Sequence, residues 1–339
     1  MTAKPPAVTP VPIDRPPARI AAVLPCYRSN AHVLDVIAAI GSEVDVIICV
    51  DDACPDRVGD HIEAGATDPR VVVLRHSVNQ GVGGAVCTGY AHALELGADI
   101  FVKIDSDGQM DPSEISVLVD PIVRGDADYA KGNRFFNIED LQGMPPLRLF
   151  GNAGLSFLTK LSTGYWSVFD PTNGYTAVHA RMIERVRLDK ISKRYFFESD
   201  LLFRLGTLRA RVADVPMAAI YGDEVSQMDV GKIVIPFFFS NVSNFLKRLF
   251  YTYLLRNFSV ASLYLLIGAP LTLFGLAFGA VRWIDAVSDA RPATSGQVMF
   301  AALPILIGVQ MVLNFIAYDV ENEPRTAVWP LLRPKKRAG

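Results

Sequence analysis

No Cys-x-x-Cys pair occurs among the four cysteines, Cys26, Cys49, Cys54 and Cys87. Their irregular spacing fits neither a zinc site nor a disulfide framework and points to a reducing compartment. Net charge is nearly absent too, −2 over 339 residues, so no global basic field speaks for nucleic acid, and anion binding must come from local clusters. The N-terminal stretch 1–17, rich in Pro and Ala, has no apolar core; that excludes a signal peptide and predicts a disordered leader. Two stretches toward the other end lack charge altogether. Between Arg256 and Arg282 lies SVASLYLLIGAPLTLFGLAFGAV, and between Pro292 and Tyr318 lies QVMFAALPILIGVQMVLNFIAY. Each run can cross about 30 Å of hydrocarbon as a helix. A buried core helix is the alternative for either one alone; two in succession predict a transmembrane hairpin over 257–318. Pro270 and Pro304 are tolerable inside it where a neighbouring helix re-satisfies the freed carbonyls.

What is present around the hairpin sets its orientation. Lys247, Arg248 and Arg256 precede the first run, and Arg325, Arg333, Lys335, Lys336 and Arg337 follow the second, whereas the connection has only Arg282 and Arg291 beside Asp285 and Asp289. The positive-inside rule then predicts both ends in the cytoplasm, with the chain integral to the inner (plasma) membrane and 319–339 as a basic tail. Ahead of the hairpin, over 233–256, Phe238, Val242, Phe245, Leu249 and Tyr253 recur at helical spacing against Asn241, Asn244, Arg248 and Thr252. That is the pattern of an amphipathic helix lying in the membrane interface, or of one packed on a protein core.

The stretch 18–232 reads as an ordinary globular domain. Short β-rich runs alternate with helical patterns: IAAVLPCY, VLDVIAAI, VDVIICVDD, VVVLRH, a Gly-rich helix start running through Leu96, then ADIFVKIDSD. Such alternation predicts an α/β fold with a mostly parallel sheet and helices on both faces. Ligands of such sheets sit outside the carboxyl ends of the strands. Polar residues collect there: Pro25 and Tyr27, Asp51 and Asp52, Asn79 to Gly84, and Asp105 to Gln109.

In KIDSDGQMDP an apolar strand ends in Asp105 and Asp107, with Ser106 between them and Gln109 two residues on. Two carboxylates and an amide oxygen on one short turn suit a hard divalent cation, Mg²⁺ or Mn²⁺, whose remaining ligands come from substrate phosphates; an ordinary Asp-rich turn is the alternative. For Asp51 and Asp52 the alternatives are a helix cap or a contact to a nucleobase or ribose. The stretch NQGVGGAVCTG lets backbone N–H groups approach a diphosphate or lets a helix pack closely on its neighbours, and it has neither the P-loop Lys-Ser/Thr nor a dinucleotide fingerprint. Lys131, Arg134 and Arg148 follow the metal turn, and guanidinium groups suit a phosphate because they stay charged and donate as a fork. Glu198 and Asp200 in YFFESD are either first-turn helix charges or groups that orient a sugar or a basic neighbour. Asp170, Thr172, Asn173 and Gly174 in FDPTNGY shape the acceptor side, with Gly174 meeting a turn requirement as its alternative. Tyr221, Asp223, Glu224 and Ser226 lie on a loop that could close over the site.

The order YR, DDACPD, NQGVGG, DSDGQ, DPTNGY and FESD resembles glycosyltransferase family 2, in particular its polyprenyl-phosphate glycosyltransferases of the dolichol-phosphate mannose synthase and undecaprenyl-phosphate type. The resemblance covers about Arg19 to Asp229 by motif, and the paired apolar runs extend it. It implies a nucleotide-diphospho-sugar transferase (GT-A) fold, a nucleotide-sugar donor, a polyprenyl phosphate acceptor and inversion at the anomeric carbon. It also implies a metal on Asp105, Asp107 and Gln109, donor contacts at Pro25, Tyr27, Asp51, Asp52, Asn79, Gly84, Asp105 and Ser106, and the lipid phosphate on Arg134 and Arg148 with Lys131, Asn152, Asp170, Thr172 and Asn173 nearby. Asp107, Arg134, Arg148, Glu198 and Asp200 are the expected catalytic set. Arg28, Ser29 and Asn30 stand where many members carry an acidic residue, and Gly81 to Gly83 reads Gly-Val-Gly where Gly-Lys-Gly is commoner.

Two other readings compete. One is another membrane glycosyltransferase of the same fold, adding sugar to a lipid hydroxyl or extending a polysaccharide; a processive synthase needs Gln-x-x-Arg-Trp before its channel helices, but Arg282-Trp283 has Gly279 in place of Gln and lies beyond a span. A silent membrane-anchored binding subunit would not need the carboxylates and arginines to be intact. The sequence leaves glucose, mannose and N-acetylhexosamine donors open. A copy of the same chain is one candidate partner for the interfacial helix.

Overall fold

The computed structural model describes residues 17–134, 146–170, 173–217 and 230–333, with the backbone alone for 146–153 and 230–233. Seven strands form one sheet: β1 (Ile20–Cys26), β2 (Val46–Asp51), β3 (Val71–Arg75), β4 (Ile100–Lys103), β5 (Tyr129–Asn133), β6 (Thr176–His179) and β7 (Val212–Pro216), in the order β3-β2-β1-β4-β6-β5-β7. The pairs β1–β2, β2–β3, β1–β4 and β5–β7 are parallel, whereas β6 runs antiparallel to both β4 and β5. The mostly parallel α/β sheet expected from the alternation is thus present, with one reversed strand inserted in it.

Helices cover both faces because the central strands are apolar on both. In β1, Ala21 and Val23 face one core and Ile20, Ala22, Leu24 and Cys26 the other, as period-2 geometry requires. The first core is closed by α3 (Val82–Glu95), α6 (Ala180–Ile183) and α7 (Phe197–Thr207) through Tyr90, Ile183, Phe197 and Leu201. The second is closed by α1 (Val33–Ala39), α2 (Val58–Gly65) and α4 (Ile115–Val123) through Val33, Ile62 and Leu118. The chain leaves β1 toward β2 on one side and returns to β4 on the other, so the topological switch point lies at the carboxyl ends of β1 and β4.

Beyond the sheet, α5 (Pro146–Thr163) packs against α8 (Val230–Leu249), which continues as a π-helical turn, Phe250–Arg256. The polarity of α8 is inverted relative to a soluble helix. Asn241, Asn244 and Arg248 are buried, while Ile235, Phe238, Phe239 and Leu246 are exposed. The inward polar groups are all matched: Ser162 Oγ donates to Asn241 Oδ1 (2.6 Å), Asn244 Nδ2 donates to Asp200 Oδ1 (3.1 Å), and Arg248 Nη2 donates to Leu161 O (2.8 Å). The apolar stripe expected from Phe238 to Tyr253 does not stay on one face. Phe238 is exposed, whereas Leu249, still within α8, and Tyr253, in the π-helical turn that follows, are buried.

Two helices, α9 (Val260–Ser288) and α10 (Ser295–Glu321), are long and apolar enough to cross a membrane. They pack as an antiparallel hairpin along small residues. A Cβ on Gly275 would stand 2.8 Å from Ala301 O, and one on Gly268 would stand 2.7 Å from Met311 Cβ, so glycine is what permits this approach. Where the chain leaves the hairpin it folds back onto the domain. Val328 N (2.9 Å) and Trp329 N (2.6 Å) donate to the buried Asp128 carboxylate, and the Trp329 ring stacks on His179 at 3.9 Å. The described part of the expected basic tail, up to Arg333, is therefore docked on the sheet domain. Residues 1–16 of the expected leader, 334–339 of the tail, and the loop holding Tyr221, Asp223, Glu224 and Ser226 lie outside the described residues.

Candidate active site

Lys103 organises the strand ends. It ends β4 and is directly opposite Thr176 of β6, which is in turn opposite Lys131 of β5, so two lysines flank a threonine across three neighbouring strands. All three are buried. Lys103 Nζ lies 2.9 Å from Asp105 Oδ1 and 3.2 Å from Glu198 Oε1. Burial works against its charge, but the two carboxylates together outweigh it and hold the ammonium above its ordinary range. Among the described residues Lys131 has no such direct pair. Its Nζ donates to Asn173 O, and burial pushes it down to about 8 against the opposing pull of Asp170 and Glu198.

The Lys131 shift has a testable sign. Between about pH 8, where the folded group loses its proton, and its ordinary value of 10.5, the unfolded chain binds a proton that the folded chain does not. Stability conferred by this side chain is therefore lowest below pH 8 and rises across that window. The stability difference between wild type and Lys131→Met, followed by chemical denaturation from pH 7.5 to 10.5, should move in favour of wild type as pH rises. A pH-independent difference would contradict the assignment.

The Asp105–Gln109 turn leaves β4 through Gly108, whose φ of +77° belongs to glycine. Gln109 N donates to Asp107 Oδ1 at 3.0 Å, closing the turn so that Asp105 and Asp107 stay partly open to solvent and Gln109 is exposed. Ser106 points inward instead, donating to Pro25 O and sharing a hydrogen bond with Ser29 Oγ, both at 2.9 Å. Its hydroxyl joins the turn to the end of β1. Among the described residues no group of three or more His, Cys, Asp or Glu forms a ready-made metal cage. Two half-open carboxylates and an amide suit a cation that takes its other ligands from a diphosphate. At Gly174 the φ is not positive and space is the issue: a Cβ there would be driven into Lys103 Nζ and would stand 2.9 Å from Asp105 Oδ2, so those side-chain ends would have to shift. The turn requirement expected from the sequence is replaced by close approach.

The β2 carboxylates are committed internally. Asp51 accepts from Cys54 N (2.8 Å) and Gly59 N (2.9 Å), so it holds the loop into α2. Asp52 accepts from Gln80 N (2.8 Å), Gly81 N (2.7 Å) and His76 Nδ1 (2.6 Å), and His76 reaches Thr88 through Nε2 (2.9 Å). Asn79 Nδ2 donates to Asp52 O at 3.1 Å. The Gly-rich stretch thus spends the amides of Gln80, Gly81 and Gly84 on the protein. Gly84 N donates to Lys193 O (3.1 Å), and a Cβ on Gly83 would stand 2.5 Å from Ser192 O. Close packing of the α3 N-terminus is the use this structure shows. Pro25 and the exposed Tyr27, with the Arg28 guanidinium 5.5 Å from its ring centre, remain on the rim of the crevice.

Among the residues expected to contact the acceptor, Arg134 Nε donates to the buried Asp170 Oδ2 at 2.9 Å. Asn173 is an internal brace: its Nδ2 donates to Gly132 O (2.8 Å) and its Oδ1 accepts from Tyr175 N (3.0 Å). Thr172 lies outside the described residues, as do the side chains of Arg148 and Asn152, whose backbone is part of α5. Glu198 joins the cluster through Lys103, but Asp200 does not. Its carboxylate accepts from Ser192 N (2.9 Å), Arg204 Nε (3.2 Å) and Asn244 Nδ2 (3.1 Å), which ties α7 to α8. Successive helical residues turn by about 100°, so two residues apart point to nearly opposite sides. Lys103 and His76 were missed in the sequence. The available signal for Lys103 was a charge inside the apolar run IFVKI.

Comparison with known proteins agrees with this geometry. Residues 21–187 match the sequence model of glycosyl transferase family 2. A UDP-N-acetylglucosamine–dolichyl-phosphate N-acetylglucosaminyltransferase of Methanococcus voltae is 31% identical over 213 residues, 59% of this chain and 84% of the relative. An undecaprenyl-phosphate mannosyltransferase of Micrococcus luteus is 31% identical over 207 residues, 60% of this chain and 84% of the relative. Among solved structures, glucosyl-3-phosphoglycerate synthase of Mycobacterium tuberculosis, in complex with Mn²⁺, UDP and phosphoglyceric acid, superposes with a TM-score of 0.53 at 20% identity, covering 66% of this chain and 78% of that one, and shares the fold. With strand-end carboxylates at the switch point of such a sheet, the chain belongs to glycosyl transferase family 2.

Proposed function

We propose that the protein transfers a hexose, with inversion, from a nucleotide-diphosphate sugar to a polyprenyl phosphate at the cytoplasmic face of the plasma membrane. The observation that carries this reading is the junction between domain and hairpin. Arg256 Nη1, just before α9, donates to Thr207 O (2.6 Å), and Trp329, just after α10, is built into the domain core, so both ends of the apolar hairpin meet the face-sharing domain that holds the crevice. The inverted polarity of α8 adds an apolar face to the same side, as a helix lying in the membrane interface requires. Such a crevice meets a lipid phosphate where the bilayer displays it. The relatives named for dolichyl-phosphate and undecaprenyl-phosphate support the acceptor class.

An acceptor phosphate is already ionised near neutral pH, so the step needs no strong general base. A phosphate oxygen attacks the anomeric carbon, and the bond from that carbon to the diphosphate breaks with its electron pair leaving on the nucleoside diphosphate. Arg134, aimed by Asp170, steers the nucleophile, with Arg148 of α5 as its companion. Asp105, Asp107 and Gln109 would hold Mg²⁺ or Mn²⁺, which supplies charge neutralisation of the leaving diphosphate. Lys103 fixes Asp105 and Glu198 relative to one another.

The direct test incubates the full-length protein in lipid with undecaprenyl phosphate and a panel of labelled nucleotide-sugars, with and without Mn²⁺. Transfer of label to the lipid from one donor, dependent on the cation and reduced about 10²–10³-fold by Asp107→Ala, is expected. Absence of transfer from every donor, or transfer indifferent to Asp107→Ala, sinks the proposal.

A further inference from the structure

The loop 164–170 runs from the end of α5 to Asp170, and it is fastened on its way to the segment where α10 ends. Trp166 Nε1 donates to Asp319 Oδ2 at 2.9 Å. Trp166 N and Ser167 N donate to Glu323 Oε2 at 3.1 and 3.0 Å, and the Ser167 hydroxyl donates to Glu323 Oε1. One carboxylate therefore takes two amides and a hydroxyl from consecutive residues, which fixes the backbone there in position and orientation. Three residues later Asp170, itself buried, holds Arg134. The anchor is stiff at the helix end too. Asp319 accepts both Nη1 (2.7 Å) and Nη2 (2.8 Å) of Arg248 and the Tyr253 hydroxyl, and Arg248 Nε reaches back to Leu161 O of α5 (3.1 Å).

We propose that Glu323, with Asp319 behind it, is a positioning residue for the lipid acceptor: the end of the second apolar helix sets the loop that sets Asp170, and Asp170 aims Arg134 at the phosphate. This rests on reading Arg134 as the acceptor ligand. Placement errors of about 1 Å in such a chain cost up to about 10²-fold in reaction. Glu323 is the link to cut, because it is only partly buried and its partners are amides and a hydroxyl, so its removal strands no buried charge.

The experiment uses full-length protein in phosphatidylethanolamine–phosphatidylglycerol vesicles, undecaprenyl phosphate, and the nucleotide-sugar that the wild type uses. KM for the lipid, KM for the donor and kcat are measured for wild type, Glu323→Ala, Glu323→Gln and Ser167→Ala, alongside thermal melts. Glu323→Ala should raise the lipid KM about tenfold with the donor KM within about twofold of wild type. Glu323→Gln, which keeps an acceptor oxygen, should recover most of that loss. A merely structural tie would lower the melting temperature and kcat while leaving the lipid KM in place, and that result overturns the proposal. Should Glu323→Ala not fold, Ser167→Ala decides, since it removes only the hydroxyl link: a raised lipid KM supports the coupling and an unchanged one refutes it. Wild-type protein that transfers to no lipid phosphate overturns the function together with this coupling, whereas wild-type transfer with an unmoved lipid KM in the variants overturns the coupling alone.

Discussion

Lys103→Met is expected to lose at least about 10²-fold in sugar transfer and to lower the stability of the domain by about 3–5 kcal/mol. The size follows from what the lysine holds apart. Asp105 and Glu198 sit 2.9 and 3.2 Å from the same Nζ, and their side chains are only 29% and 14% exposed. Methionine fills about the same volume but leaves the largely buried Glu198 facing the partly open Asp105, so each carboxylate loses its ammonium partner and repels the other. Glu198 and Asp105 then swing apart, and the Asp105–Gln109 turn loses the side chain that fixes its first carboxylate. Lys103→Arg is not a conservative repair. Gly174 already gives up its side chain to make room for the ammonium, and a guanidinium needs more space still. Thermal melts and transfer assays on Lys103→Met check this directly. Retention of both melting temperature and transfer rate would show that the ion pairs carry neither stability nor catalysis.

The second large effect concerns the junction with the membrane helices. Asp319→Leu should destabilise the folded protein by about 3–5 kcal/mol, because it leaves the Arg248 guanidinium buried without its bidentate partner. The double variant Arg248→Met with Asp319→Leu should recover most of that loss, since a buried pair exchanged for apolar residues of similar volume is often neutral. Leu161 O and the Tyr253 hydroxyl would forfeit their hydrogen bonds in the double variant, so recovery should stop short of complete. Melting temperatures of the detergent-solubilised wild type, both singles and the double form a thermodynamic cycle. Additive losses in the double variant would mean that the two residues do not act as a pair.

The first half of the sheet was legible because its units are local. β1 to β4 each follow a run of apolar residues and each ends in a turn with its own chemistry, so strand, helix and site could be read from neighbours in sequence. β6 was not legible in the same way. Four residues, TAVH, carry too little pattern to set a direction, and the strand runs antiparallel because its register with both β4 and β5 is set by residues far away in the chain. At the site, the turn bearing Asp105, Asp107 and Gln109 could be picked out from its spacing. The pairing of Lys103 with Glu198 could not, being a contact between residues nearly a hundred positions apart. FESD offered two carboxylates of equal standing, and only the rotation of α7 turned Glu198 toward Lys103 and Asp200 toward Asn244.

The sequence by itself determined that this chain carries two apolar helices of membrane-spanning length and an α/β domain with carboxylates at its strand ends. Both follow from the free energy of burying apolar residues, which is written into composition and period and needs no distant partner. Tertiary structure alone decided which polar residues open toward a ligand and which are consumed inside. Asp52, Ser106, Asn173 and Asp200 are committed to neighbours from other elements, and the polar face of α8 is turned into the protein while its Phe238 and Phe239 face outward. A buried polar group must find its hydrogen-bond partner wherever the fold brings one, so its role is fixed only when the chain has closed around it.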